Sequence, residues 1–137
     1  MEYCHLCDGE APLVTVPRTF EASGGPSVTI NDTAYQCARC GEVFYGGGMM
    51  DESLRRVAAA VRVRDGLLGS EELVAVRESL RHTPARMSEI LGVAEDLISK
   101  WEQGLFPQPA KVDRAYRRLR GEPDRLPKGV PRSREAA

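Results

Sequence analysis

The sequence predicts an α+β chain, a small β-rich module followed by an all-α domain. Three observations predict it. All four cysteines fall within the first 40 of 137 residues. The first 50 residues hold short apolar runs between glycine-rich turns. Beyond residue 51 the apolar positions recur every three or four residues, the helical period. The chain therefore divides into a metal-binding module over 1–50, a helix and linker over 51–69, a helical domain over 70–120 and a flexible tail over 121–137.

Within the first part, Leu13, Val14, Val16 and Phe20 in the run from Ala11 to Phe20 suit one strand, and Val28-Thr29-Ile30 suits a second. Ser23-Gly24-Gly25-Pro26 between them is turn chemistry, so the two form a hairpin. A third short strand is expected at Val43-Phe44-Tyr45, before Gly46-Gly47-Gly48 breaks the chain.

Asp51 is the expected N-cap of a helix running to about Val63, with Leu54, Val57, Ala58 and Val61 on one face. Asp65-Gly66 ends it. Ser70 is the expected cap of the next helix, with Glu71 and Glu72 at its positive end and Leu73, Val76 and Leu80 as its apolar stripe. Thr83 caps a second helix whose first turn holds Pro84, where a missing N–H costs nothing. Its inward residues are Met87, Ile90 and Leu91, and Gly92 ends it. A third helix covers Ala94 to Gln103, burying Leu97, Ile98 and Trp101, with Gly104 at its C-terminal end. After Pro107 and Pro109 a last helix covers Ala110 to Arg120, with Val112, Ala115, Tyr116 and Leu119 inward.

Cys4-His5-Leu6-Cys7 and Cys37-Ala38-Arg39-Cys40 are two CxxC pairs. A two-residue spacer lets one turn present both sulfurs to one metal, and two such turns supply the four thiolates of a tetrahedral zinc site. Cys4, Cys7, Cys37 and Cys40 are thus expected to hold one structural zinc ion, without which so small a module does not fold. Gly9 and Gly41 are expected to take the unusual backbone angles of the two turns. Thioredoxin-like redox chemistry needs a βαβ context that is missing here, and His5 is expected beside the site rather than in it.

The net charge of −1 conceals an uneven distribution: residues 1–50 carry −4, 51–69 carry +1, 70–110 carry −3 and 111–137 carry +5. A filled zinc site, adding four thiolates and one dication, takes the first segment to about −6, a surface suited to a basic partner. No stretch has the roughly 18 apolar residues of a membrane span, and Met1-Glu2-Tyr3-Cys4 does not open a secretory signal, so a cytoplasmic location is expected. Two histidines, His5 and His82, with no nucleophile elbow and no phosphate-binding glycine loop, argue against an enzyme.

The run Thr83-Pro-Ala-Arg-Met-Ser-Glu-Ile-Leu-Gly-Val93, continuing through Ala94-Glu-Asp-Leu-Ile-Ser-Lys-Trp-Glu-Gln-Gly104, resembles the helix-turn-helix of phage-repressor-like (XRE) regulators. With the preceding CxxC pairs, residues 1–120 resemble the MqsA family of antitoxins. That resemblance implies a zinc domain that binds a toxin, commonly an RNA-cleaving protein with a basic face. It also implies a helix-turn-helix that binds operator double-stranded DNA as a homodimer and represses the protein's own operon. The helices at 51–63 and 110–120 are both candidates for the dimer surface. Glu102 is expected to make a local polar contact that stabilises the fold.

A recognition helix lays its N-terminal residues in the major groove, so Ala94, Glu95, Asp96, Ser99 and Lys100 are the DNA-reading candidates, with Arg86 on the preceding helix reaching the backbone. Where the family pattern has an amide this chain has Asp96, and where it has Arg this chain has Lys100. Asp96 and Glu95 can accept from cytosine N4 but repel phosphate, and Lys100 lacks the bidentate fork of Arg. A stand-alone zinc-containing regulator is the alternative to an antitoxin.

Overall fold

The computed structural model describes residues 2–22 and 24–122; the tail expected to be flexible lies, from residue 123 on, outside the described residues. Ten elements follow in order. They are β1 (Glu2–Tyr3), β2 (Glu10–Ala11), β3 (Leu13–Phe20), β4 (Val28–Gln36), β5 (Val43–Phe44), α1 (Met49–Asp65), α2 (Ser70–Ser79), α3 (Pro84–Leu91), α4 (Glu95–Glu102) and α5 (Ala110–Leu119). The chain is α+β, with two small antiparallel sheets and five helices.

The hairpin β3–β4 is the frame of the N-terminal part. Its register pairs Leu13 with Tyr35 and Phe20 with Val28, and β5 adds to the far side of β4. Strand β4 extends six residues beyond the expected Val28–Ile30. Its polar run Asn31-Asp32-Thr33 hid the pattern, because the inward position is held by a buried carboxylate rather than an apolar side chain. Pro17 sits in β3, an edge strand, where a missing N–H leaves no ladder bond unmade.

Helix α1 starts two residues before the expected Asp51, on Gly48 at φ 78°, and stops at Gly66 at φ 68°. Its two opposed faces are bonded to different halves of the molecule, Ser53, Arg56 and Arg64 to the hairpin and Arg55 and Arg62 to the helical domain. Toward the sheet, Asp32 is fully buried and accepts from Tyr45 Oη (2.9 Å), Ser53 Oγ (2.8 Å) and Arg56 Nη1 (2.8 Å). Toward the helical domain, Arg62 is 5% exposed. Its Nε donates to Gln108 Oε1 (2.9 Å) and its Nη2 to the carbonyls of Trp101 (3.0 Å) and Phe106 (3.1 Å). Gln108 in turn donates to Leu68 O and Asp113 Oδ1, and Asp113 accepts from Leu68 N and Arg117 Nε. Buried polar groups here are satisfied by one another, which is the condition for burying them at all.

The helical core packs Leu68, Leu73, Val76, Met87, Ile98, Trp101, Val112 and Tyr116, with Leu80, Leu91, Val93 and Leu119 against it. Three residues expected inside lie outside: Leu54 is exposed, Ile90 is 38% exposed and Leu97 is 41% exposed. An eight-residue helix has room for few inward positions, and on α4 these are filled by Ile98 and Trp101. The expected Ser70 cap is also corrected. Gly69 is the N-cap of α2, and its N–H is taken by Glu72 Oε1 at 3.0 Å. Thr83 caps α3 as expected, accepting from Arg86 N at 3.1 Å, with Pro84 in the first turn.

Tyr116 is buried, its hydroxyl has no hydrogen-bond partner among the described residues, and burial pushes its pKa up to about 12. An unpaired buried hydroxyl costs more than it returns. Tyr116→Phe is therefore expected to raise the melting temperature, or leave it unchanged, by a gain of about 0–2 kcal/mol in thermal denaturation. A clear loss of stability would show that the hydroxyl has a partner.

Candidate functional site

The two knuckles meet at the end of the hairpin. Cys4 follows β1 and Cys37 follows β4, strands of different sheets, and the knuckles are set face to face by backbone bonds from Gln36 N to Pro12 O and Ala38 N to Glu10 O and by Arg39 Nη1 on Cys7 O. Cys4 Sγ lies 3.6 Å from Cys40 Sγ, and Cys7 Sγ lies 3.4 Å from Cys37 Sγ. All four sulfurs lie within 4.8 Å of one another. Tetrahedral ligation at a metal–sulfur distance of about 2.3 Å sets sulfurs about 3.8 Å apart, within the span of this cluster, which is consistent with a structural metal ion.

Backbone amides prepare the sulfurs for negative charge. Leu6 N points to Cys4 Sγ, and both Arg39 N and Cys40 N point to Cys37 Sγ, each at 3.4 Å. The Cys40 and Arg39 amides hold the Cys37 thiol down to about 6 against the opposing effect of burial. Against the backbone bonds from Glu42 and Gly9, the neighbouring thiols and burial push Cys40 up to about 12 and Cys7 up as well, so the negative charge gathers first on Cys37. Cys4 and Cys37 are buried while Cys40 is exposed. His5 is exposed and packs edge-on against Phe44, with ring centroids 5.7 Å apart.

Gly41 has the positive φ expected of it, at 80°, but Gly9 does not; Asp8 takes that conformation in the first knuckle, at φ 61°. Gly9 is needed for a different reason. A Cβ there would stand 2.9 Å from Cys37 Sγ, 3.0 Å from Arg39 Cβ and 3.3 Å from Cys7 Sγ. Gly9→Ala is expected to weaken metal retention at least tenfold, read by competition with a chromophoric chelator; unchanged affinity would show that the knuckles yield freely.

The second constellation is the pair α3 and α4. Gly92, at φ 67°, closes α3, and Ser88 Oγ donates to Val93 O across the turn. Arg77 grips Glu102 with two bonds, Nε to Oε2 at 2.8 Å and Nη2 to Oε1 at 3.0 Å, and donates to His82 O, tying α2 to α4. Such a two-point fork fixes orientation as well as distance. The polar contact expected of Glu102 is this one.

Ala94, Glu95 and Asp96 are exposed at the start of α4, and Ser99 and Lys100 lie half-buried one turn on. Lys100 Nζ sits 3.0 Å from Asp96 Oδ2 and 5.8 Å from the Phe106 ring centroid. Ser99 Oγ accepts from Gln103 Nε2 at 2.8 Å. Arg86, on α3, pairs with Glu89 at 2.9 Å. The cations of this face are thus matched by neighbouring acids. Of the basic residues on α5, Arg117 is drawn to Asp113, Glu122 and Gly66 O, and Arg120 to Glu72 and Glu122.

No protein-family model and no curated protein matches this chain. Four close cysteines among the described residues could hold a metal ion, and no described helix is long and apolar enough to cross a membrane. The sequence missed the arginines of α1 at this site, Arg55 and Arg62, because their partners lie more than thirty residues away.

Proposed function

We propose that this chain is a zinc-stabilised DNA-binding regulator of the antitoxin type, which holds a toxin through its N-terminal module and represses its own operon through α3 and α4. The observation that carries the reading is the four-cysteine cluster, joined through α1 to two helices across a tight Gly92 turn. Four soft thiolates in tetrahedral reach favour zinc and close the metal to catalysis. The negative charge of residues 1–50 suits a small basic protein, such as an RNA-cleaving toxin. The first turn of α4 offers Ala94, Glu95 and Asp96 to base edges, with Ser99 and Lys100 behind them and Arg86 beside them. A homodimer would read two half-sites.

Native mass spectrometry of the tagged chain, purified gently from its own host, tests the reading. One zinc per chain with a small basic protein in the complex is the expected result. A zinc-loaded homodimer without a protein partner would favour a stand-alone regulator. The Asp96–Lys100 pair gives a second test. Asp96→Asn removes a charge that repels phosphate and frees Lys100, so affinity for non-specific duplex DNA is expected to rise roughly tenfold at low salt. No change in fluorescence anisotropy titrations would mean that this face does not meet phosphate.

A further inference from the structure

The geometry points to Arg62, assisted by Arg55, as the positioning residue for the DNA-reading helix α4, so that the reading unit begins at α1 rather than at α2. This inference rests on the DNA-binding reading above.

A helix is placed against DNA by what holds its far end as much as by what its near end touches. The near end of α4 is exposed, and its N-cap, Ala94, makes no side-chain cap bond. The C-terminal end is held from another element. Arg62 Nη2 donates at once to Trp101 O, within the last turn of α4, and to Phe106 O, in the segment that leaves it. Arg55 Nε, two turns earlier on the same face of α1, donates to Gln103 O at 3.0 Å. Both guanidinium groups meet the negative end of the helix dipole, where a cation is favoured. Two guanidinium groups on α1 and three carbonyl acceptors at and just beyond one helix end thus add to the Arg77–Glu102 fork in setting the axial position and the rotation of α4.

The Arg62 head is itself immobilised. Its Nε is fixed by Gln108 Oε1, whose amide is fixed by Leu68 O and Asp113 Oδ1. The opposite face of α1 is fixed to the hairpin, through Ser53 and Arg56 on Asp32 and through Arg64 on Pro26 O. Arg62 therefore transmits to α4 the position of a helix clamped on both faces. Its guanidinium is buried behind α4, away from the exposed first turn, and so contributes no phosphate contact.

That last point separates positioning from direct binding. An arginine that touches phosphate lowers both affinity and the steepness of the salt dependence when it is lost, the slope falling by about one per contact. A positioning arginine lowers affinity alone. The experiment uses the full zinc-loaded chain, a duplex selected by the wild-type chain from a randomised 30-base-pair library, and two variants. Arg62→Lys keeps the buried charge but cannot reach all three acceptors. Arg55→Ala removes an exposed contact and is compatible with folding.

Backbone amide exchange over residues 95–103 is read by mass spectrometry without DNA, with α2 as the internal reference. The expected result is faster exchange in α4 but not α2 for Arg62→Lys, a smaller change for Arg55→Ala, at least tenfold weaker DNA binding by Arg62→Lys, and an unchanged salt slope for Arg55→Ala, the variant that loses a charge. Unchanged exchange in α4 would overturn the proposal, as would a reduced slope. Equal acceleration in α2 and α4 would also overturn it, since Arg62 would then serve general stability only. Faster exchange in α4 in a chain whose wild type selects no duplex would support the positioning of α4 and sink the DNA reading.

Discussion

Replacing Cys37 with serine is expected to take metal content from one ion per chain to near zero and to unfold residues 2–48. Cys37 is buried, receives two backbone amides on its sulfur and lies 3.4 Å from Cys7 Sγ. A serine hydroxyl at that position is a poor ligand for a soft site, and it leaves three thiolates without their closing partner. The apolar content of the module is too small to replace the metal: β1, β2 and β5 are two residues each, and β3 alternates exposed with half-buried positions. Apparent metal-binding free energies of about 10–16 kcal/mol in small zinc domains are folding free energies, so losing one ligand of four is expected to exceed the stability of the module. Elemental analysis and two-dimensional NMR check it, the resonances of β3 and β4 collapsing while those of α2 to α5 stay dispersed. A well-dispersed, metal-free Cys37→Ser module would show that the hairpin folds by itself.

The second large effect is expected at Asp32. Its carboxylate is fully buried and is bonded by Tyr45, Ser53 and Arg56, with Arg18 Nε 3.9 Å away. Asp32→Ala leaves Arg56 and two hydroxyls without their acceptor and is expected to cost about 3–5 kcal/mol, measured by urea denaturation. The same site gives a pH dependence. Burial pushes the Asp32 pKa up, but the bonds from Ser53, Tyr45, Arg56 and the Thr33 amide outweigh it, and the folded value lies below the ordinary one. A carboxylate with a depressed folded pKa contributes stability above the unfolded value of about 3.9. That contribution is lost as pH falls through the lower folded value. Acid unfolding below about pH 4 is therefore expected to include proton uptake at Asp32, absent in Asp32→Asn. An Asp32→Ala chain as stable as the wild type would mean that α1 is held to β4 by its apolar contacts alone.

These two sites were not equally legible in the sequence. The cysteine cluster was, because ligand type and two-residue spacing are local, and chemistry admits few uses for four thiolates in two turns. The helices after residue 70 were legible too: Thr83, Pro84 and Gly92 act on backbone groups within four residues of themselves. Asp32 was not. In sequence it breaks the apolar run of β4 and reads as turn chemistry; its partners Ser53 and Arg56 lie on another element. Ile90 and Leu97 fitted the helical period but exceeded the inward space of two eight-residue helices.

The sequence by itself determined the β3–β4 hairpin, the five helices, the four-cysteine cluster and the exposed start of α4. Each depends on neighbours along the chain, through spacing, caps and turn conformations. Only the tertiary structure decided that α1 is a helix fastened on both faces, with Asp32 on one side and Gln108, Trp101 and Phe106 on the other. The physical reason is that a buried charge carries no local signature. Arg56 and Arg62 look alike in the sequence, two basic residues on an amphipathic helix, and burial with specific acceptors far along the chain makes one a clamp on the sheet and the other a clamp on α4.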